Sequence, residues 1–247
     1  MIHLVLTYCI ATILASTHHV QKGPTCLIAS SQTAISVQGT APTFKDLSRH
    51  VPILPTGIHA YDLAVELKKR QWESLIFTGP PEAIARLIEA GFAVVAFIYK
   101  NGNRHSVAIT GVKRVASSTQ ANQCGRAVHK LLMHDPNQAK PLWITAKSFA
   151  KIQSNQQLMV FYHPKDLSKL SAAGFPTRIA QKVDRRFRAD TLLKRAKRHS
   201  KANKQQLFLL KRALKYDPCF QPVRTWLHEL EHKLKYPHSK LPICQNK

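Results

Sequence analysis

The chain has 247 residues, 44% of them apolar and 8% aromatic, which fits one large or two modest globular domains and excludes wholesale disorder. Its formal charge of +24 predicts attraction to polyanions, and from Lys165 onward 21 Lys and Arg stand against 6 Asp and Glu. The five cysteines include no Cys-x-x-Cys pair, which speaks against a zinc knuckle or a thioredoxin-type site, and the basic stretch carries no specific nucleic-acid motif.

The chain opens on an apolar run from Leu4 to Ala15 that suits a signal-peptide core and is too short for a comfortable membrane span. Ala15 is small enough for cleavage, although no Lys or Arg precedes the run. Residues 1–17 are therefore expected to be a signal peptide or hydrophobic N-terminal segment. Export to the periplasm or exterior is the expectation, with a buried segment or an uncleaved membrane anchor as the alternatives.

Gly23, Pro24 and Thr25 then form a turn before Cys26, with Thr25 as N-cap of a helix over Leu27–Val37. A short helical stretch at Phe44–Leu47 and an amphipathic helix over Ala60–Trp72 follow. Leu75–Phe77 reads as a strand, and Pro81 starts a helix through Glu89 that Gly91 closes. Strands over Ala93–Tyr99 and His105–Lys113 flank a hairpin turn at Asn101-Gly102-Asn103. After a polar loop at Ser117–Cys124, Val128–Met133 is a further strand, stopped by Asp135-Pro136-Asn137. Trp143-Ile144 and Leu158–Tyr162 complete the sheet, with a helical turn at Lys147–Phe149 between them. Past His163-Pro164 the periodicity is helical only, over Ala189–Ala196, Lys204–Tyr216 and Pro222–Leu234. The fold class is thus α+β, helices on a small antiparallel sheet over 18–164, followed by an all-α basic tail over 165–247.

A cysteine nucleophile acts as the thiolate, so it needs a lowered pKa and a nearby base. A helix N-terminus favours that anion, and Cys26 sits at one. His105, opening a strand, can supply the base, and Asp135, following another, can orient it. Gln21, one turn of chain ahead of the cysteine, can donate to the oxyanion of a tetrahedral intermediate.

The order Gln21, Cys26, His105, Asp135 resembles the papain-like bacteriocin-leader-processing (double-glycine) peptidases. So do Gly57 ahead of the helix Ala60–Lys69, the run Pro81–Gly91 leading into an apolar strand, His105–Gly111, His134-Asp135-Pro136, and Ser148-Phe149 before the last strand. The resemblance covers residues 21 to about 163. It implies a papain-like fold and a peptide or protein substrate cleaved after small residues. It gives Cys26 as nucleophile, His105 as base, Asp135 as orienting carboxylate and Gln21 as oxyanion donor, with no cofactor. Leu27 stands where that family usually has Gly, and Thr25 where it often has Asp. The alternative is a peptidase-like module that binds a peptide or partner without cleaving it.

In the tail, Leu207–Pro218 and the helix with Trp226 resemble half of a tetratricopeptide repeat, a form that needs a neighbour to dock on. The tail would then offer a surface to a protein partner or to an anionic surface. The tail also holds His228-Glu229-Leu230-Glu231-His232, with His238 beyond it. On a helix, His228 and His232 share a face and could bind zinc with Glu229 as base, which makes a zinc metallopeptidase the remaining alternative. Pro237 and the short stretch after it argue for an exposed helix face instead, so the expected metal set is none.

Overall fold

A computed structural model describes residues 11–21, 23–55, 57–100, 102–115, 127–175, 177–198 and 204–234, the side chains of 177–184 and 187 apart. They fall into two compact units that divide between Thr177 and Arg178. The first unit runs β1 (Ala11–Ile13), α1 (Cys26–Ser36), α2 (Phe44–His50), α3 (Ala60–Lys68), β2 (Glu73–Thr78) and α4 (Pro81–Glu89). It continues with β3 (Val94–Lys100), β4 (Asn103–Val115), β5 (Ala127–His134), β6 (Leu142–Thr145), α5 (Ala146–Ile152) and β7 (Gln153–Tyr162). A 3-10 turn at Pro164–Asp166 and the short α6 (Leu167–Ala172) close it.

The sheet is antiparallel throughout, in the order β2-β7-β3-β4-β5-β6, with β1 added along β4. Strand β4 is its centre. Every residue from His105 to Val112 is buried, and successive side chains of a strand point to opposite faces, so both faces of β4 are covered. Helix α1 lies against β3, β4 and β7, while α4 and α5 pack on one another and on β3 to β5. Pro81 presets the first turn of α4, and its apolar face inserts Ile84, Leu87 and Ile88 at 0% exposure. Each such side chain stabilises the fold by about 1.5–3 kcal/mol.

Four local features differ from the pattern read in the sequence. Residues 11–13 of the apolar N-terminal run form an edge strand, Thr12 opposite Val112, and Ile13 remains 57% exposed. The β3–β4 hairpin is tighter than a three-residue turn, since Asn103 pairs with Lys100 and Gly102 takes a φ of +76°. Thr25 stands at the N-cap of α1, yet its side chain makes no capping hydrogen bond. Finally, α6 belongs to the first unit, beyond the expected cut near Pro164. Leu170 is buried there, and the Phe175 ring meets Phe77 edge-on at 5.0 Å. The polar loop 117–124, along with Cys9, Cys124, Cys244 and His238, lies outside the described residues.

The second unit consists of α7 (Thr177–Lys197), α8 (Lys204–Tyr216) and α9 (Gln221–Lys233). Leu192, Leu193, Leu207, Leu210, Leu214 and Leu227 are buried, whereas Arg185, Arg186, Lys194 and Lys197 face solvent. This is the amphipathic division the spacing predicts. Trp226 is only half-buried, and Lys197 stands over its ring at 6.0 Å. Among the described residues no helix is long and apolar enough to cross a membrane.

Candidate active site

Cys26 is the first residue of α1, which carries no acidic side chain in its opening turn. The N–H groups of that turn have no intrahelical acceptor and point toward the cysteine end. One turn on, the Ser30 hydroxyl donates to the Ser106 carbonyl at 2.8 Å. This bond ties the helix carrying the thiol to the strand carrying His105. Leu27, where the resemblance would place a glycine, is buried in the core at 3% exposure.

His105 projects from β4 between two partners. Its Nε2 lies 2.8 Å from Asp135 Oδ1. A carboxylate only accepts, so Nε2 carries the proton and Nδ1 is left for the Cys26 side chain, to which the ring also hydrogen-bonds. Asp135 sits in the turn after β5, at 3% exposure, and its position is set locally. Oδ1 accepts the Asn137 N–H at 2.9 Å and the Asp135 carbonyl accepts the Gln138 N–H at 2.9 Å, an Asx-type turn. Oδ2 takes the Lys100 ammonium at 2.6 Å.

The charges follow from these contacts. Burial pushes the Cys26 thiol up, but the hydrogen bond from His105, with the Ser106 backbone behind it, outweighs burial and leaves the thiol below its ordinary value. Burial likewise disfavours a charged His105, yet the bonds to Asp135 and Cys26 raise it to about 9. Asp135 is held well below the usual carboxylate range: burial opposes its charge, and His105, Lys100 and the Asn137 N–H overcome that. The net effect at each group is in favour of its charged form: thiolate on Cys26, imidazolium on His105 and carboxylate on Asp135.

Gln21 is fastened to the same loop, its N–H donating to the Pro136 carbonyl at 3.0 Å, and its side-chain Oε1 is buried without a partner. The segment leading to it is secured at Leu14 N–H to the Thr110 carbonyl (2.8 Å), Thr17 N–H to Ser36 Oγ (2.9 Å) and His19 N–H to Thr33 Oγ1 (3.1 Å). His105 thus links Cys26 on one side to Asp135 on the other, and Gln21 is tied to the residue following Asp135.

Two features escaped the sequence reading. Lys100 is one; the tight hairpin register, which places Lys100 and His105 on one sheet face, is the signal that reveals it. The other is a histidine chain beside Asp135. His134 Nε2 meets Thr110 Oγ1 at 2.8 Å, its Nδ1 meets His18 Nδ1 at 3.2 Å, and His18 Nε2 meets the Gln138 carbonyl at 2.8 Å. A carbonyl only accepts, so His18 is protonated at Nε2, His134 at Nδ1, and the Thr110 hydroxyl donates. Nothing in the sequence spacing announces this chain. On α9, His228 and His232 stand one turn apart, and among the described residues no three His, Cys, Asp or Glu side chains gather as a metal set.

No known family profile matches the chain, and no curated protein is similar to it. Solved structures are. The peptidase domain of Streptococcus ComA, a bi-functional ABC transporter involved in a quorum sensing pathway, matches at 14% identity and a TM-score of 0.46, over 59% of this chain and 96% of that one. A double glycine motif protease from an AMS/PCAT transporter, in complex with the leader peptide, matches at 14% identity and 0.45, over 61% and 94%. The N-terminal peptidase C39 like domain of a toxin secretion ATP-binding protein from Vibrio parahaemolyticus matches at 13% and 0.36, over 58% and 99%.

Proposed function

We propose that the chain is a papain-like thiol peptidase in which Cys26 attacks, His105 shuttles the proton and Asp135 orients His105. One observation carries this reading: a buried imidazole bonded on one side to a carboxylate and on the other to a thiol at a helix N-terminus. In the reaction the Cys26 thiolate adds to the scissile carbonyl carbon. The resulting oxyanion is received by the Gln21 amide and the N–H groups opening α1. The His105 imidazolium gives its Nδ1 proton to the departing amine as the C–N bond breaks, which leaves a thioester. Neutral His105 then takes a proton from water, the hydroxide adds to the thioester, and the acid and the thiolate are released. Asp135 stays ionised throughout, its three donors making its own protonation unfavourable.

The substrate class follows from the sequence resemblance to leader-processing peptidases: a peptide or protein cleaved after small residues. Export to an oxidising compartment accords with the apolar run before Ala15 and with the disulfide-bonded Cys219. Cleavage after Ala15 removes β1 and leaves the Thr17, His19 and Gln21 fastenings in place. The basic α7–α9 unit serves as a docking surface for an anionic partner.

The test is digestion of a mixed peptide library, read by mass spectrometry. Cys26→Ala abolishes cleavage, whereas His228→Ala and a chelator leave it unchanged. Loss of activity with the chelator transfers the chemistry to the α9 histidines. Peptide binding without cleavage by the intact protein leaves a docking module instead.

A further inference from the structure

We propose that Lys100 is a positioning and tuning residue of this site: acting through Asp135, it limits how tightly His105 holds its proton. The inference rests on the peptidase reading above for its catalytic meaning, though not for its test. The register of the hairpin puts it there. Ile98 lies opposite His105 and Lys100 opposite Asn103, so Lys100 is the diagonal neighbour of His105 on the same face of the sheet. From that place its ammonium reaches Asp135 Oδ2 at 2.6 Å while His105 Nε2 holds Oδ1 at 2.8 Å.

Lys100 is not alone in aiming the carboxylate. The Asn137 N–H already fixes Oδ1 at 2.9 Å, within the turn that the Gln138 N–H closes. What Lys100 adds is charge. An imidazolium and an ammonium share one carboxylate, and the second cation weakens the hold of Asp135 on the first. The groups facing the His105 ring are Cys26 from α1 and Asp135 from the turn after β5, with Lys100 from β3 behind Asp135. His134, next to Asp135 in the chain, turns its ring to Thr110 and His18 instead.

A general acid serves best when its pKa stands near the working pH. His105 is held up to about 9 by Asp135 and Cys26, against burial. Without Lys100 it would be held higher still, and protonation of the leaving amine would be slower. Two cations joined through one carboxylate are about 6 Å apart, and with Lys100 36% exposed, solvent screening reduces their repulsion to a shift of about half to one pH unit.

The experiment titrates the His105 ring by NMR in the full-length protein, wild type against Lys100→Met and Lys100→Arg, with His105→Gln to assign the signal. Lys100→Met is expected to raise the His105 midpoint by about half to one pH unit, and Lys100→Arg to leave it in place. In parallel, the step in Cys26 alkylation by iodoacetamide that accompanies His105 deprotonation moves to the same higher pH. An unchanged or lowered midpoint in Lys100→Met overturns the inference. A slow, unexceptional Cys26 in the wild type overturns the peptidase reading alone, because the ring titration needs no activity.

Discussion

Replacing Asp135 with Asn removes a charge and keeps a shape, so its cost isolates what the carboxylate contributes. Three donors converge on Asp135: His105 Nε2 and the Asn137 N–H on Oδ1, and Lys100 on Oδ2. An amide has a single acceptor oxygen. Turned toward His105 and Asn137 it keeps both bonds but sets its NH2 against the Lys100 ammonium; turned the other way it loses both. The first arrangement is favoured, with Lys100 released to solvent. The loss is then the counter-charge that holds His105 at about 9 instead of 6.5, a gap worth about 3 kcal/mol. Cys26 shares in that shift, which leaves about 2 kcal/mol to Asp135. A raised histidine pKa stabilises fully below pH 6.5, and the contribution is lost as pH rises through 9. Asp135→Asn should therefore cost about 2 kcal/mol at pH 6 and less than about 1 kcal/mol at pH 9.5, the remainder being the half-exposed Lys100 pair. Urea unfolding in a Trp226→Phe background measures it, since only Trp72 and Trp143 of the first unit then report. A penalty equal at the two pH values would refute the reasoning and reduce Asp135 to a turn former.

Three further outcomes follow from the structure. Burial first, then His18, lowers His134 to about 4, so the stability it contributes is present above pH 6.5 and lost as pH falls through 4. His134→Gln should flatten the pH dependence of the unfolding free energy across that window. Ser30→Ala removes the bond from α1 to the Ser106 carbonyl and should cost about 1 kcal/mol in urea unfolding while slowing Cys26 alkylation. The basic second unit should bind anionic vesicles at low salt, and cosedimentation of the full-length protein should fall steeply as salt rises; salt-insensitive binding would indicate an apolar contact instead.

Much of this site was legible before any coordinates. The turn residues ahead of Cys26, the strand carrying His105 and the Asp-Pro-Asn stop after β5 are local signals, and each acts locally in the structure. Lys100 was hidden because its role depends on register: a turn one residue longer would not set Lys100 opposite Asn103 or bring it beside His105. The chain Thr110–His134–His18 was hidden for a different reason. It joins β4, β5 and the N-terminal segment, residues far apart in sequence whose meeting only the sheet pairing decides. Strand β1 was obscured by hydrophobicity itself, since an apolar run serves a leader and an edge strand equally well. The second unit was legible as helices because its leucines recur with the helical period, while its place relative to the first unit has no local signal.

The central claim is that the surroundings of Cys26 make it an activated thiol, and its alkylation rate tests this most directly. At pH 6 an ordinary cysteine is almost wholly protonated and reacts slowly with iodoacetamide. With His105 on one side and the α1 N-terminus on the other, Cys26 should be modified at least about tenfold faster than glutathione at that pH, as followed by peptide mapping. His105→Gln should abolish the advantage. A Cys26 that reacts no faster than glutathione at pH 6, in a folded protein, would contradict the account.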